Sequence, residues 1–192
     1  DVAAILKTDT VKCLVANEKF LVIGTHNGRV HFLDLVGNEI LELQLHSSAV
    51  NDLALDAAGE FVASCSDDGT VVITDIWSES SKQTKHSYHR PVRAVGLPSS
   101  YKQQQMVAAG GNNQQFLLNT KAWFSNRDNV IHSGEGPVYA IAWSGDLIAW
   151  ANNLGVKIYD CASSERIAYI NRPAGSPPAN KYRCCLYWVN SE

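Results

Sequence analysis

The chain has 192 residues, of which 16 are Lys or Arg and 19 are Asp or Glu, giving a formal net charge of −3. This length suffices for a sizeable hydrophobic core. The slightly negative charge argues against a nucleic-acid-binding protein, which would neutralise phosphates with clustered cations. No apolar run approaches the ~20 residues of a membrane-spanning helix, and no signal peptide opens the chain. We expect a cytoplasmic protein that meets membranes only peripherally or through partners.

The five cysteines show no pattern typical of a disulfide scaffold or a zinc site, because their number is odd and no Cys-x-x-Cys spacing occurs. We interpret them as small buried hydrophobic residues in a reducing compartment. They are Cys13, Cys65, Cys161, Cys184 and Cys185. We expect neither a metal nor a cofactor.

Along the chain, one unit of four strands recurs. A continuously apolar second strand leads through a turn to an alternating third strand, and a more polar fourth strand follows. The first strands are predicted at 11–16, 50–55, 92–97 and 138–143, and the second strands at 20–24, 61–65, 106–109 and 147–151. The third strands are predicted at 29–35, 70–76, 115–120 and 156–161, and the fourth strands at 39–45, 82–88, 129–133 and 166–170. No helix of any length is predicted.

The spacing of the units identifies the fold. An Asp or Asn near the end of each third strand recurs at intervals of 41, 44 and 41 residues. These residues are Asp34, Asp75, Asn119 and Asp160. Four strands in about 40–46 residues are typical of a propeller blade. We therefore predict an all-β, WD-repeat-like β-propeller; a β-sandwich is the competing fold, and the even period argues against it.

The repeats do not complete a ring of the usual size. We expect blades at roughly 10–45, 49–88, 91–133 and 137–171, with a strand at 182–189 that starts the next blade. Residues 1–7 resemble the outer strand of a preceding blade. Because a propeller must close, we expect about four blades of a larger, seven-bladed ring. In the alternative, residues 182–189 close a four-bladed ring beside residues 1–7.

The polar residues favour structural roles over catalysis. Asp67 and Asp68 fall in a hairpin turn, where acids accept hydrogen bonds from their own backbone. His46 and His89 precede first strands, and we expect each to hydrogen-bond within the adjoining blade or turn. His132 has no acid placed to complete a catalytic triad. We predict a non-catalytic protein; a propeller hydrolase is the weaker alternative, because the fold alone does not exclude one.

Binding to other proteins is the favoured activity. Residues 121–127 carry two aromatics between two cations, a composition common at interfaces. Residues 171–181, which contain three of the six prolines, form a loop between blades that is suited to contacts or to service as a stiff connector. The expected contact residues are Trp123, Phe124, Arg127, Arg172 and Lys181. The alternatives are that Trp123 packs beneath a loop, or that these basic segments bind membranes directly.

Four longer motifs resemble a single family. They are residues 20–28 (Phe-Leu-Val-Ile-Gly-Thr-His-Asn-Gly), 64–69 (Ser-Cys-Ser-Asp-Asp-Gly), 134–138 (Gly-Glu-Gly-Pro-Val) and 147–160. The last contains Ala-Trp-Ala-Asn-Asn-Leu-Gly-Val-Lys, the most specific run. In this order they resemble the vacuolar protein sorting-associated protein 41 family, a subunit of the HOPS tethering complex, over essentially the whole chain.

The resemblance implies a function that the residues alone do not. In that family an N-terminal propeller precedes a helical solenoid and a zinc-binding RING-like domain, neither of which lies within these residues. It implies vesicle tethering and fusion at late endosomes and the vacuole or lysosome. The implied partners are the other HOPS subunits, a late-endosomal Rab GTPase and an adaptor complex of the vacuolar or lysosomal route. A WD-repeat scaffold that binds an adaptor or other complex unrelated to tethering is the alternative.

Overall fold

The structure is a computed structural model that describes residues 2–121, 126–182 and 184–189. Within these residues, four antiparallel sheets contain four strands each. In every sheet the strands are hydrogen-bonded in chain order, so each sheet is a simple meander. This confirms the predicted all-β class and the repeating four-strand unit.

The strand bounds follow the repeats closely. The first sheet contains β1 (Val11–Ala16), β2 (Phe20–Thr25), β3 (Arg29–Asp34) and β4 (Glu39–Gln44). The second contains β5 (Val50–Leu55), β6 (Phe61–Ser66), β7 (Thr70–Asp75) and β8 (Gln83–Ser87). The third contains β9 (Val92–Gly96), β10 (Met106–Gly111), β11 (Gln115–Lys121) and β12 (Asn126–Ser133). The fourth contains β13 (Ala140–Ser144), β14 (Leu147–Ala151), β15 (Gly155–Asp160) and β16 (Glu165–Asn171).

The sheets pack face to face as consecutive blades. The first strands lie side by side, β1 against β5, β5 against β9 and β9 against β13, so they are the innermost strands. Apolar side chains fill the space between neighbouring sheets. Phe20, Val22, Phe32, Val50 and Val62 share one such layer. In the layer between the third and fourth sheets, the rings of Phe116 and Trp150 stack with centroids 4.3 Å apart.

Residues 2–8 differ from the prediction. They form helix α1 (Val2–Thr8), not the outer strand of a preceding blade. Ile5 of α1 packs against Ile23 and Leu33, which point away from the second sheet. Helix α1 therefore covers the side of the first sheet on which another blade would pack. Two further short helices, Tyr101–Gln104 (α2) and Ala179–Lys181 (a 3₁₀ turn), also depart from the predicted absence of helices.

The predicted strand at 182–189 is not observed in the described residues of that range, 182 and 184–189. Residues 184–189 contain no strand. Residues 184–188 instead line a cavity of about 680 Å³ beside the inner strands β5, β9 and β13. Among the described residues, no strand closes a four-bladed ring beside α1, and the extent of the complete propeller stays a prediction.

The cysteines divide into two groups. Cys13 and Cys65 are buried, as the sequence predicted. Cys161 and Cys184 are half-buried and Cys185 is exposed, so for Cys185 the prediction was wrong. No helix in the described part of the chain is long and apolar enough to cross a membrane.

Candidate interaction surface

The up-and-down course of the strands gives the molecule two opposite faces. At the upper face, the turn between the second and third strands of a sheet meets the connection into the next sheet. There the amide of His46 donates to the carbonyl of Gly28 (3.1 Å), and the amide of Tyr88 donates to that of Gly69 (2.8 Å). The lower face carries the remaining turns, those between the first and second strands and those between the third and fourth.

His46 is the centre of a buried network at the upper face. Its Nδ1 lies 2.9 Å from Thr70 Oγ1, and its Nε2 lies 2.8 Å from Ser64 Oγ. Asp68 accepts hydrogen bonds from the amides of Thr70 (2.9 Å) and Ser47 (3.0 Å). These contacts confirm the structural interpretation of His46 and Asp68, because they join the β4–β5 connection to the β6–β7 hairpin.

Burial and hydrogen bonding set the ionisation of this network. Burial lowers the pKa of His46 from its ordinary value, and the nearby Asp68 carboxylate only partly opposes this. Burial alone would raise the pKa of Asp68, but hydrogen bonds from Thr70 and Ser47 outweigh it and lower the pKa. The folded state thus favours a neutral His46 beside an ionised Asp68.

Asp67 joins two sheets through hydrogen bonds, whereas the contact predicted for His89 is absent from the described structure. Asp67 Oδ1 accepts from Asn51 Nδ2 at 2.9 Å, and the same amide donates to the carbonyl of Val92 at 2.7 Å. Asp67 therefore helps to join the second sheet to β9 of the third. His89 is exposed and has a backbone φ of 55°. Its side chain forms no hydrogen bond with the described residues, so the predicted structural contact of His89 is wrong.

A second buried polar cluster lies between the third and fourth sheets. Lys157 on β15 is only 2% exposed, and its ammonium group pairs with the carboxylate of Glu135 in the β12–β13 connection. His132 Nε2 lies 3.1 Å from both Lys157 Nζ and Glu135 Oε2. Asn152 Nδ2 donates to the same Glu135 oxygen at 2.9 Å. The sequence offered no signal for this cluster, because its members are separated by strands and meet only when the sheets pack.

The cluster has the form of a structural ion pair. An acid does lie beside His132, contrary to the prediction, but that acid also accepts from Lys157 and Asn152. Burial would raise the pKa of Glu135, yet the hydrogen bonds from Lys157 and Asn152 lower it. Burial and the Lys157 charge lower the pKa of His132. No hydroxyl or thiol hydrogen-bonds to His132 within the described residues, so nothing there acts as its nucleophile.

The predicted contact residues do not form one surface. Trp123 and Phe124 lie outside the described residues. Arg127 is exposed on β12, where it pairs with Thr120 at the lower end of the sheet. Arg172 and Lys181 lie in the connection that follows β16, at the upper face. The structure therefore places Arg127 and the Arg172–Lys181 pair on opposite faces.

The loop after β16 forms a pocket at the upper face. The Arg172 amide donates to the carbonyl of Leu154 (2.8 Å), and its guanidinium group donates to the carbonyl of Pro177. Arg172 and Pro177, together with Tyr139 and Asn153, border a cavity of about 440 Å³. The Tyr139 hydroxyl donates to Asn153 Oδ1 at 2.9 Å, which fixes the wall of the pocket. The loop is thus folded onto the fourth sheet.

Exposed apolar side chains at the lower face were missed by the sequence reasoning. Leu35 and Val36 in the β3–β4 turn and Trp77 in the β7–β8 connection are 59%, 87% and 59% exposed. Trp77 is held in place, because its Nε1 donates to the carbonyl of Gly59 at 2.9 Å. The available signal was the apolar pair that follows Asp34 and Asp75, where a turn usually carries polar residues.

Comparison with known proteins agrees with this architecture. A profile of the Vps41 β-propeller family, described as "Vps42 beta-propeller", matches residues 1–192. The chain is similar to the vacuolar protein sorting-associated protein 41 homolog of Arabidopsis thaliana, with 43% identity over 98% of this chain and 19% of that protein. It is also similar to the Homo sapiens homolog, with 32% identity over 99% of this chain and 22% of that protein. The chain thus spans about a fifth of the length of these relatives.

Solved structures show the fold. The chain resembles the Cps50 (Swd1) β-propeller domain of Myceliophteria thermophila with a TM-score of 0.72 and 20% identity, over 86% of this chain and 56% of that one. It resembles the RRP9 WD40 repeats with a TM-score of 0.69 and 13% identity, over 83% and 51% of the two chains. The four sheets are therefore a partial WD40-type propeller. Since the family profile covers every residue, the chain belongs to the Vps41 β-propeller family.

Proposed function

We propose that this chain is the non-catalytic, protein-binding propeller of a HOPS-type tethering subunit, acting in vesicle tethering and fusion at late endosomes and the vacuole or lysosome. The family match over residues 1–192 carries the proposal. The relatives are named for vacuolar protein sorting, and they are about five times longer than this chain. The propeller would thus contribute binding surfaces to a larger protein, while other regions join the remaining HOPS subunits.

The polar geometry supports binding over chemistry. The side chains of His46, Asp67, Asp68 and the Lys157 cluster all have hydrogen-bond or ion-pair partners that join turns or neighbouring sheets. The exposed side chains are of another kind: cations at the loop after β16 and on β12, and aromatic and aliphatic residues on the lower face. Arg and aromatic residues of this kind are enriched at protein interfaces.

The proposed partners are a late-endosomal Rab GTPase and an adaptor complex of the same route. A single globular GTPase would cover one face of a propeller and not both. Arg172 and Lys181 at the upper face and Arg127 at the lower face are therefore alternative sites for the GTPase. Trp123 and Phe124, outside the described residues, remain predicted contact residues. The adaptor complex is the natural occupant of the other face. Recruitment through such partners would place the protein on the cytoplasmic side of these membranes, peripherally.

The test is binding of the full-length protein to the Rab loaded with GTP or GDP. We expect a clear preference for GTP. The charge-reversal pair Arg172→Glu and Lys181→Glu tests the upper face, and Arg127→Glu tests the lower face. Lys85→Glu on the exposed edge strand β8 is the matched control, because it lies at neither face.

Loss of binding in the upper-face pair or in Arg127→Glu, but not in both, with Lys85→Glu unchanged, would assign the Rab site to that face. Equal binding of the GTP and GDP forms, or no binding, would contradict the Rab proposal. The second candidate, a scaffold that binds an adaptor complex, would then be tested with the same variants. Hydrolytic activity that survives in the purified protein and is lost in His132→Ala would contradict the non-catalytic assignment.

A further inference from the structure

Three potential metal ligands converge on the β3–β4 hairpin, away from both clusters described above. His31 on β3 lies across from Glu42 on β4, as a directly paired residue. Glu39 begins β4, and an irregularity in the pairing between Phe32 and Leu33 brings its side chain to the same place. One imidazole nitrogen of His31 and one carboxylate oxygen from each of Glu39 and Glu42 lie within 4.8 Å of one another.

The distances are close to those of a tetrahedral zinc site. His31 Nδ1 lies 2.9 Å from Glu39 Oε2 and 3.9 Å from Glu42 Oε2. Ligands about 2.1 Å from a tetrahedral Zn²⁺ are about 3.4 Å apart, between these two values. Small rotations of the two flexible carboxylates would bring the three ligand atoms to this spacing, since all already lie within 4.8 Å of one another. One imidazole and two carboxylates is also a ligand set that suits Zn²⁺ better than Mg²⁺.

The environment leaves the site accessible on one side. The His31 side chain is 4% exposed, whereas those of Glu39 and Glu42 are 34% and 40% exposed. A buried, strand-held imidazole fixes the position, and the open side admits water as a fourth ligand. Arg29 contacts Glu42 through the other carboxylate oxygen, with NH1 3.2 Å from Oε1. Glu42 Oε2 therefore remains directed toward His31.

We propose that His31, Glu39 and Glu42 form a three-ligand binding site for Zn²⁺ on the outer hairpin of the first blade. Without a metal, a proton on His31 Nδ1 separates it from the Glu39 oxygen, since both are otherwise acceptors. Zn²⁺ takes the place of that proton at Nδ1, and the neutral imidazole then carries its single proton on Nε2. The spacing of the cysteines argued only against a zinc site with thiolate ligands. The pairing of β3 with β4 instead brings together one imidazole nitrogen and two carboxylate oxygens.

The experiment is titration of the full-length protein with ZnCl₂ after removal of metals, with MgCl₂ in parallel. The number of bound Zn²⁺ ions is compared among variants, so zinc bound elsewhere in the protein cancels. We expect Glu42→Gln and His31→Gln each to bind one equivalent fewer than the wild type. Glu79→Gln, an exposed acid in the β7–β8 connection, is the control and should bind as the wild type does.

A variant that is expected to increase the affinity for Zn²⁺ strengthens the test. Arg29→Gln removes the cation that competes for Glu42, so it should bind Zn²⁺ roughly tenfold more tightly. Glu42→Gln changes a half-exposed side chain and keeps its size, so it tests the site even if His31→Gln unfolds. Equal zinc content in the wild type and Glu42→Gln would overturn the proposal. Binding of Mg²⁺ equal to that of Zn²⁺ would overturn the assignment of the ion.

Discussion

Lys157 and Glu135 form an ion pair across the packed third and fourth sheets, with the lysine 2% exposed. Lys157 belongs to β15, and Glu135 belongs to the connection that leads out of the third sheet. The pair therefore bridges two blades at the upper face. At the junction between the first and second sheets, His46 in the β4–β5 connection and Asp68 in the β6–β7 turn are placed similarly. At comparable places in the repeat, one junction therefore has a lysine–glutamate ion pair and the other a histidine beside an aspartate.

Removing the acid should cost more than removing the base. Glu135→Gln leaves the Lys157 charge buried without its carboxylate, at a cost of about 3 kcal/mol of local stability. Lys157→Met keeps an apolar stem of similar length and removes the buried charge, so the loss should be smaller. Hydrogen exchange of peptides from β14 and β15 in the full-length protein measures both. Equal destabilisation by the two variants would contradict the role of the buried charge.

Acid should loosen the β4–β7 region through His46 and Asp68. The pKa of His46 is lowered in the folded state, so its contribution to stability is complete above its ordinary value of 6.5 and declines as the pH falls below it. The lowered pKa of Asp68 adds a further loss at still lower pH, below its ordinary 3.8. Hydrogen exchange of residues 46–70 should therefore accelerate between pH 7 and pH 5, after correction for intrinsic rates.

The variant His46→Gln separates this effect from general acid sensitivity. Glutamine keeps hydrogen-bonding groups near Thr70 and Ser64 but does not titrate. The variant should be less stable at pH 7 and should lose less on going to pH 5. His89→Gln is the control, because His89 is exposed and its side chain forms no hydrogen bond in the described structure. A wild-type pH response in His46→Gln would show that another group is responsible.

Glycine should be required in the β2–β3 turn. Gly28 has a φ of +85°, and a Cβ there would lie 2.2 Å from the carbonyl oxygen of His46. Gly28→Ala therefore combines backbone strain with a backbone clash, and should cost about 3 kcal/mol. Gly145→Ala is the matched control: its φ is +54°, with nothing within 4 Å of the added atom, and should cost about 1 kcal/mol. Hydrogen exchange of peptides from β2 and β14 measures the loss of local stability in the two variants. Equal losses would contradict the predicted clash at Gly28.

The repeated strands were predictable because each carries its own local signal. Alternation, apolar runs and glycine turns fix a strand without reference to its neighbours, and Gly28 and Gly69 stand at matching places. The polar junctions were less accessible. His46 and Asp68 fall in recognisable turn positions, but Lys157 alternates like a solvent-facing residue and is buried only because Glu135 reaches it from another sheet. Their pairing depends on how sheets pack, which the local pattern does not encode.

Helix α1 shows the same limit at the other end of the chain. Its seven residues are too few to form a stable helix by themselves, so its conformation depends on the surface it covers. Val2 and Ile5 are spaced as on one side of a helix, yet so short a run also reads as a strand. Packing on Ile23 and Leu33, two residues distant in sequence, decides between the two.

Ile5 should hold α1 against the first sheet. Ile5 is 5% exposed and packs on Ile23 and Leu33, whereas the adjacent Leu6 is 58% exposed. Ile5→Ala removes buried methyl groups and should cost about 2–4 kcal/mol locally, while Leu6→Ala should cost under about 1 kcal/mol. Hydrogen exchange of residues 20–34 in the full-length protein measures how well α1 protects this sheet from solvent. If α1 is displaced by another blade in the assembled ring, Ile5→Ala and Leu6→Ala will leave that exchange equally unchanged, which would contradict the role assigned to Ile5.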